Sequence, residues 1–276
     1  MEYVYLNNEF LKTEEAKISV LEPGLLFGFG LFETIRAHKS KLFRPEAHWR
    51  RLYSGAAKLG LIPGLSPSDL TAVCHELLQR NQQKEAAVRV SLYKGIKEDV
   101  LVVHLRDDWF YPPELYQTGV KIIVGAYPLN EKSPLYPLKT TSRLTNALTH
   151  KEAETKGALE GLILNTEGKI AEGSRSNIFW VKDGGVYTPP LSDGGLAGVT
   201  RKIVFELARE NRINATEKSV TPVELTQADE VFLTSTLLEI MPINRVDEKK
   251  IGEACPGPAT TLLHSSFRKL VSKEMG

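Results

Sequence analysis

Between Asp107 and Pro113 the pattern of the chain breaks. Asp-Asp-Trp-Phe-Tyr-Pro-Pro sets charge, aromatics and paired prolines side by side, a composition that belongs to a linker. A chain interrupted there reads as a smaller domain over residues 1–112 and a larger one over 113–276, each long enough to bury its own core.

Ahead of that break, Tyr3–Leu6 and Glu9–Lys12 predict a hairpin around Asn7-Asn8, because Asn tolerates the positive φ of a tight turn. Gly24-Leu-Leu-Phe-Gly-Phe-Gly30 carries three glycines in seven residues, which suggests backbone packed closely against a neighbour. Pro45 to Leu59 predicts a helix, with Pro45 in its first turn, Trp49, Leu52, Ala56 and Leu59 as an apolar stripe, and Gly60 as its stop. Ser66-Pro-Ser-Asp69 starts a second helix running to about Arg80. Ala87–Tyr93 and Val100–Leu105 are β-rich runs expected to pair.

After the break, strands are expected at 120–124, 161–165, 177–181, 186–188 and 230–233. Helices are expected at 141–156, 200–211 and 259–271. No strict strand–helix–strand rhythm emerges. The fold class that follows is α+β or mixed α/β: a small α+β domain, a larger mixed domain, and a cleft between them.

The formal net charge is +1, with no long basic or acidic block, so nucleic acid is not an expected partner. Cys74 and Cys255 lie far apart and outside any CxxC pair, which fits a reducing cytoplasm and disfavours disulfides and zinc. The N-terminus lacks a basic stretch followed by an apolar one, so no signal peptide is expected. No apolar run approaches the ~20 residues that span a bilayer. The histidines show no metal-ligand spacing, so no metal is expected.

Chemistry concentrates in Pro137-Leu-Lys-Thr-Thr-Ser-Arg-Leu144. A lysine between an apolar strand and a helix can be held rigid at a cleft, and an amine so placed can form a Schiff base with an aldehyde. Downstream lie Ala171-Glu-Gly-Ser-Arg-Ser-Asn177, Leu196-Ala-Gly-Val-Thr-Arg201 and Phe232-Leu-Thr-Ser-Thr236. A lysine, a carboxylate and two groups of small hydroxyl and glycine residues are the parts that pyridoxal 5′-phosphate needs: aldehyde anchor, pyridine-nitrogen partner and phosphate cradle.

In motifs and their order the chain resembles the class IV aminotransferase family, the fold-type IV pyridoxal phosphate enzymes, from Tyr5-Leu-Asn to Met241-Pro-Ile. The resemblance implies the two-domain, D-amino acid aminotransferase-like fold, with a barrel-like larger domain, and a homodimer. It implies Lys139 as the cofactor's anchor and as general base, and Glu172 as the partner of the pyridine nitrogen. Asn177 is placed in the surrounding polar network or, equally, at a strand edge. Arg51 in His48-Trp-Arg-Arg-Leu, the helix start at Gly198-Val199-Thr200, and Thr236 are implied to hold the phosphate. Arg89 and Arg143 are candidates for the substrate, with an outward-facing charge as the other reading of Arg89.

Thr34, in Phe-Glu-Thr-Ile-Arg, stands where branched-chain aminotransferases usually carry glycine. It is similar to the 4-amino-4-deoxychorismate lyases of the family, where a hydroxyl there can relay a proton. The resemblance therefore implies a lyase releasing pyruvate and 4-aminobenzoate in folate biosynthesis. The alternative is a transaminase for branched-chain or D-amino acids with 2-oxoglutarate.

Overall fold

The computed structural model describes residues 1–106 and 110–276. The chain forms two compact units. One comprises Met1–Phe110, Leu138–Ser142 and Val271–Gly276; the other comprises Tyr111–Pro137 and Arg143–Leu270. The linker expected over 107–113 begins on residues 107–109, which lie outside the described residues. The partition differs from a single cut after residue 112, because two short segments from far along the chain group with the first unit.

The first unit runs β1 (Tyr3–Leu6), β2 (Glu9–Lys12), α1 (Pro23–Leu26), β3 (Gly30–His38), β4 (Lys41–Leu42), α2 (Pro45–Leu59), α3 (Pro67–Arg80), β5 (Ala86–Tyr93) and β6 (Val100–Arg106). Among the described residues its sheet has the order β2-β1-β6-β5-β3-β4, with antiparallel neighbours. Asn7 and Asn8 both take positive φ in the expected hairpin turn. α2 ends on Gly60 in the left-handed region, and its stripe of Trp49, Leu52 and Ala56 is buried. α3 opens on a capping box in which Ser66 and Asp69 satisfy each other's backbone N–H groups. Beneath the helices lies a core that includes Leu31, Ile35, Leu77, Val88 and Val90.

β3 is a strand that the glycine count obscured. Its Leu31, Glu33, Ile35 and Ala37 are buried, whereas Phe32, Thr34, Arg36 and His38 are half-buried, the period of two of a strand with one core face. Glu33 is the one carboxylate on that buried alternation.

The second unit runs α4 (Leu115–Thr118), β7 (Val120–Val124), α5 (Leu144–Thr155), β8 (Glu160–Leu164), β9 (Ile170–Gly173), β10 (Asn177–Lys182), β11 (Gly185–Thr188), a 3₁₀ turn (Leu191–Asp193), α6 (Val199–Glu210), β12 (Ala215–Glu217), α7 (Pro222–Leu225), β13 (Glu230–Ser235), β14 (Glu239–Val246), β15 (Lys249–Lys250) and, up to Leu270, α8 (Pro258–Met275), whose last residues belong to the first unit. Its sheet, among the described residues, has the order β12-β11-β10-β13-β14-β7-β8-β9, with β15 beside β14. The β14–β7, β7–β8 and β11–β12 pairs are parallel and the others antiparallel, so the mixed α+β class expected from the sequence holds. Ile122, Leu162, Ile178, Leu233 and Met241 fill its core. Phe179 stacks on Phe232 with ring centroids 5.1 Å apart.

Two expectations in this unit are corrected. The helix expected from residue 141 starts at Leu144, because Thr141 donates its N–H to Gly30 O and its hydroxyl to Gly28 O instead. β14 was not anticipated, since Pro242 lies inside it. Pro242 faces Phe232 of β13, while pairing with β7 begins only at Ile243, so the missing N–H falls before that ladder starts.

Candidate active site

In the first unit, residues 139–141 run antiparallel to the start of β3. Phe32 donates its N–H to Lys139 O at 2.9 Å, and Thr141 donates to Gly30 O at 2.9 Å. The hydroxyls of Thr141 and Ser142 both reach Gly28 O, at 2.8 and 3.1 Å. Gly28 has φ +62, and a side chain there would meet the Ser142 hydroxyl. The glycine-rich stretch thus lets the lysine segment dock on a strand edge, where the Lys139 carbonyl is held by Phe32.

Nζ of Lys139 lies 4.7 Å from the centre of the Phe32 ring, and the Arg89 guanidinium lies 3.5 Å from the same centre. Two cations therefore share one aromatic ring, an arrangement favoured by the ring's negative face and disfavoured by their mutual repulsion. Thr34 lies two residues past Phe32 on the same half-buried face and directly opposite Arg89 on β5. Thr34, Arg89 and Lys139, chosen on separate grounds, are gathered on one face. Arg89 is engaged with Phe32, and its Nε donates to Ser91 Oγ at 3.4 Å.

Arg51 differs from expectation in its company. Its Nε and Nη2 each donate to a different oxygen of Glu33, both at 2.7 Å, and Nδ1 of His48 donates to Glu33 Oε2 at 2.8 Å. Glu33 and His48 are each 1% exposed. Burial alone would raise the Glu33 carboxyl, but the charge and hydrogen bonds of Arg51, with those of His48, outweigh it and hold Glu33 at about 2. Burial pushes the His48 imidazole below its ordinary range against the pull of Glu33. The sequence reading gave neither Glu33 nor His48 a role. The signal was present: a carboxylate between Leu31 and Ile35 on an alternating strand must face the core and find a partner.

In the second unit, β9 delivers Glu172, 4% exposed, into a fixed bonding pattern. Its Oε1 accepts from Arg143 Nη2 at 2.9 Å and its Oε2 from Leu196 N at 2.8 Å. Arg143, expected at the substrate, is thus an ion-pair partner of Glu172. Tyr136 stands near both: burial raises its hydroxyl pKa, and the Glu172 charge adds to the effect. Asn177 opens β10 and donates Nδ2 to Leu196 O at 2.8 Å, while its Oδ1 occupies the space that a side chain on Gly198 would need. Asn177 thus stands both at a strand edge and in hydrogen-bond contact with Leu196, and a side chain at position 198 would collide with it.

Gly198 is the N-cap of the twelve-residue helix α6 and brings no side chain to cap it. Val199 and Thr200 form the first turn, with Thr200 buried at 3%. Backbone N–H groups at such a helix start favour a phosphate. Thr236 sits half-buried in the turn between β13 and β14. Thr234, two residues before it, keeps a buried hydroxyl with no hydrogen-bond partner among the described residues.

Glu160, on β8, is a further carboxylate the sequence reading passed over. Its Oε2 accepts from Ser176 Oγ at 2.8 Å and Arg175 N at 3.0 Å, tying down the loop between Glu172 and Asn177. Burial raises its pKa.

The donor set suits pyridoxal 5′-phosphate: an amine fixed at its backbone, a buried and oriented carboxylate, and an uncapped helix start with threonines nearby. Arg51 suits it less directly than expected, since Glu33 takes two of its nitrogens.

Residues 30–246 match the model of the class IV amino-transferases, and the chain belongs to that family. It is 29% identical to the D-alanine aminotransferase of Bacillus licheniformis over 98% of both chains. Its fold is similar to the crystal structure of the Escherichia coli branched-chain amino acid aminotransferase, with a TM-score of 0.94 and 28% identity over 100% of this chain and 96% of the other. It is also similar to the T.th. branched-chain amino acid aminotransferase solved with pyridoxamine 5′-phosphate, at a TM-score of 0.91 and 28% identity over 98% and 94%. All three are aminotransferases.

Proposed function

We propose that this protein is a transaminase of the branched-chain type, moving the amino group of a small apolar amino acid to 2-oxoglutarate. The observation that carries the reading is the full-length likeness to the Escherichia coli enzyme, combined with the retained Lys139 and Glu172. Its cofactor is pyridoxal 5′-phosphate, which when bound supplies an aldehyde for the amine and an electron sink for the carbanion.

Lys139 would anchor the cofactor, and its Nζ would serve as the base for the proton on the amine-bearing carbon of the substrate. Glu172, oriented by Arg143 and the Leu196 N–H, would offer its carboxylate to the ring nitrogen. The first turn of α6 and Thr236 would hold the phosphate oxygens, with Arg51, whose charge is balanced by Glu33, as a further candidate. Arg89 takes a substrate carboxylate. Two copies of the chain form the working unit, since Val20 and Phe27 are 70% and 73% exposed beside Leu21, Leu25 and Leu26. Both cysteines are free thiols, which suits the cytoplasm.

One observation keeps a second reading, aminodeoxychorismate cleavage, in play: the Thr34 hydroxyl on the same face as Lys139. The deciding experiment measures glutamate from 2-oxoglutarate with valine, leucine, isoleucine and D-alanine, and in parallel 4-aminobenzoate from aminodeoxychorismate. Faster glutamate formation is expected. Faster 4-aminobenzoate formation, reduced about 10–10³-fold in Thr34→Gly, would hand the assignment to the lyase.

A further inference from the structure

β13 ends at Ser235, which faces Glu239 at the start of β14, so Thr236, Leu237 and Leu238 form a three-residue hairpin loop. The chain enters β14 through one residue in the left-handed region, a conformation suited to glycine. Here that residue is Glu239, with φ +54. A side chain at such a φ is disfavoured, and a contact made by that side chain can offset the strain.

The contact is a clamp. Glu239 is 7% exposed, and its Oε2 bonds His264 Nε2 at 3.0 Å and Arg268 Nε at 3.0 Å. His264 and Arg268 stand four residues apart on α8 and so share one helix face. Tyr116 from α4 stacks on His264 at 4.7 Å and donates its hydroxyl to Leu238 O at 3.3 Å. Leu238 N–H in turn donates to Ser235 Oγ at 3.1 Å. Residues 235, 238 and 239 are all tied, and Thr236 and Leu237 are left half-buried at the crest.

We propose that Glu239 is a positioning residue: through the His264–Arg268–Tyr116 clamp it fixes the hairpin crest so that Thr236 meets a phosphate already oriented. The proposal rests on the reading of Thr236 as a phosphate ligand. A glycine would close the same turn without strain but would leave the crest to be ordered on binding, at the expense of affinity.

The test is equilibrium binding of pyridoxal 5′-phosphate and of pyridoxal, which lacks the phosphate, to the full-length protein stripped of cofactor. Glu239→Ala should weaken binding of the phosphorylated ligand at least about tenfold and that of pyridoxal less than about threefold, the scale of one charge-assisted phosphate contact. Glu239→Gln, which keeps an acceptor, should recover most of the loss. Arg268→Met alters a side chain that is 53% exposed and so spares the fold; it should show the same selectivity at smaller size. Equal weakening of both ligands, or unchanged affinity in Glu239→Ala and Arg268→Met, overturns the proposal. Thr236→Val locates the failure. If it lowers selectivity for the phosphorylated ligand and the clamp variants do not, the clamp alone is wrong. If it leaves selectivity intact, the phosphate role of Thr236 fails and the proposal falls with it.

Discussion

Glu33→Gln removes the charge at the centre of a buried network without changing its shape. A carboxyl held at about 2 instead of its ordinary 4.5 favours the charged folded state by about 3 kcal/mol. That agrees with the roughly 3–5 kcal/mol lost when one partner of a buried ion pair is removed. The sign follows from the lowered pKa. The contribution is complete above pH 4.5 and drains away as pH falls through 2, because the unfolded chain takes up the proton first. His48 acts in the same direction: its imidazole is depressed by burial, so acidification below its ordinary range favours the unfolded chain. The assay is urea unfolding read by hydrogen exchange of the Gly30–His38 peptides, which reports on this unit. At pH 7 the variant should be about 3 kcal/mol less stable than the natural protein, and by pH 3 the gap should have narrowed by more than half. A gap under about 0.5 kcal/mol at pH 7, or one that does not shrink with acid, would refute the assignment of Glu33 as a charged partner of Arg51.

Borohydride treatment of the yellow protein should fix the cofactor covalently, and peptide mapping should find it on Lys139; a label elsewhere removes Lys139 from its role. Glu172→Gln should keep cofactor bound while slowing turnover by more than about 10²-fold, and an unchanged rate would show that the carboxylate is not needed. Sedimentation at assay concentration should find a homodimer, so an active monomer would contradict the cover proposed for the apolar residues from Val20 to Phe27.

Much of the fold was legible because local signals agreed with tertiary demand. Pro45 with Gly60, and Ser66 with Asp69, marked α2 and α3 through backbone chemistry that packing did not override. β3 and β14 were hidden for opposite reasons. Glycines at the head of β3 suggested a loop, although they serve the docking of residues 139–142. Pro242, which has no N–H to give, obscured β14, although pairing with β7 begins only at the following residue, Ile243. The polar residues of the site were legible as types: Lys139, Glu172, Gly198 and Thr200 stand out by motif. Their partners did not. Nothing local ties Arg143 to Glu172 or Glu33 to Arg51, because those pairings are made by strands and helices far apart in sequence.

The docking of residues 139–141 on β3 also bears on the order in which this protein can be made. β3 is synthesised more than a hundred residues before the segment that covers its edge at Gly30–Phe32. A nascent chain that has released the first unit's other strands still presents that edge with open N–H and C=O groups, a template for pairing with a neighbour. The interval closes only when Leu138–Ser142 leaves the ribosome. Slow translation between residues 43 and 138 should therefore favour association of nascent chains. The segment that carries Lys139 is also the one that seals the sheet.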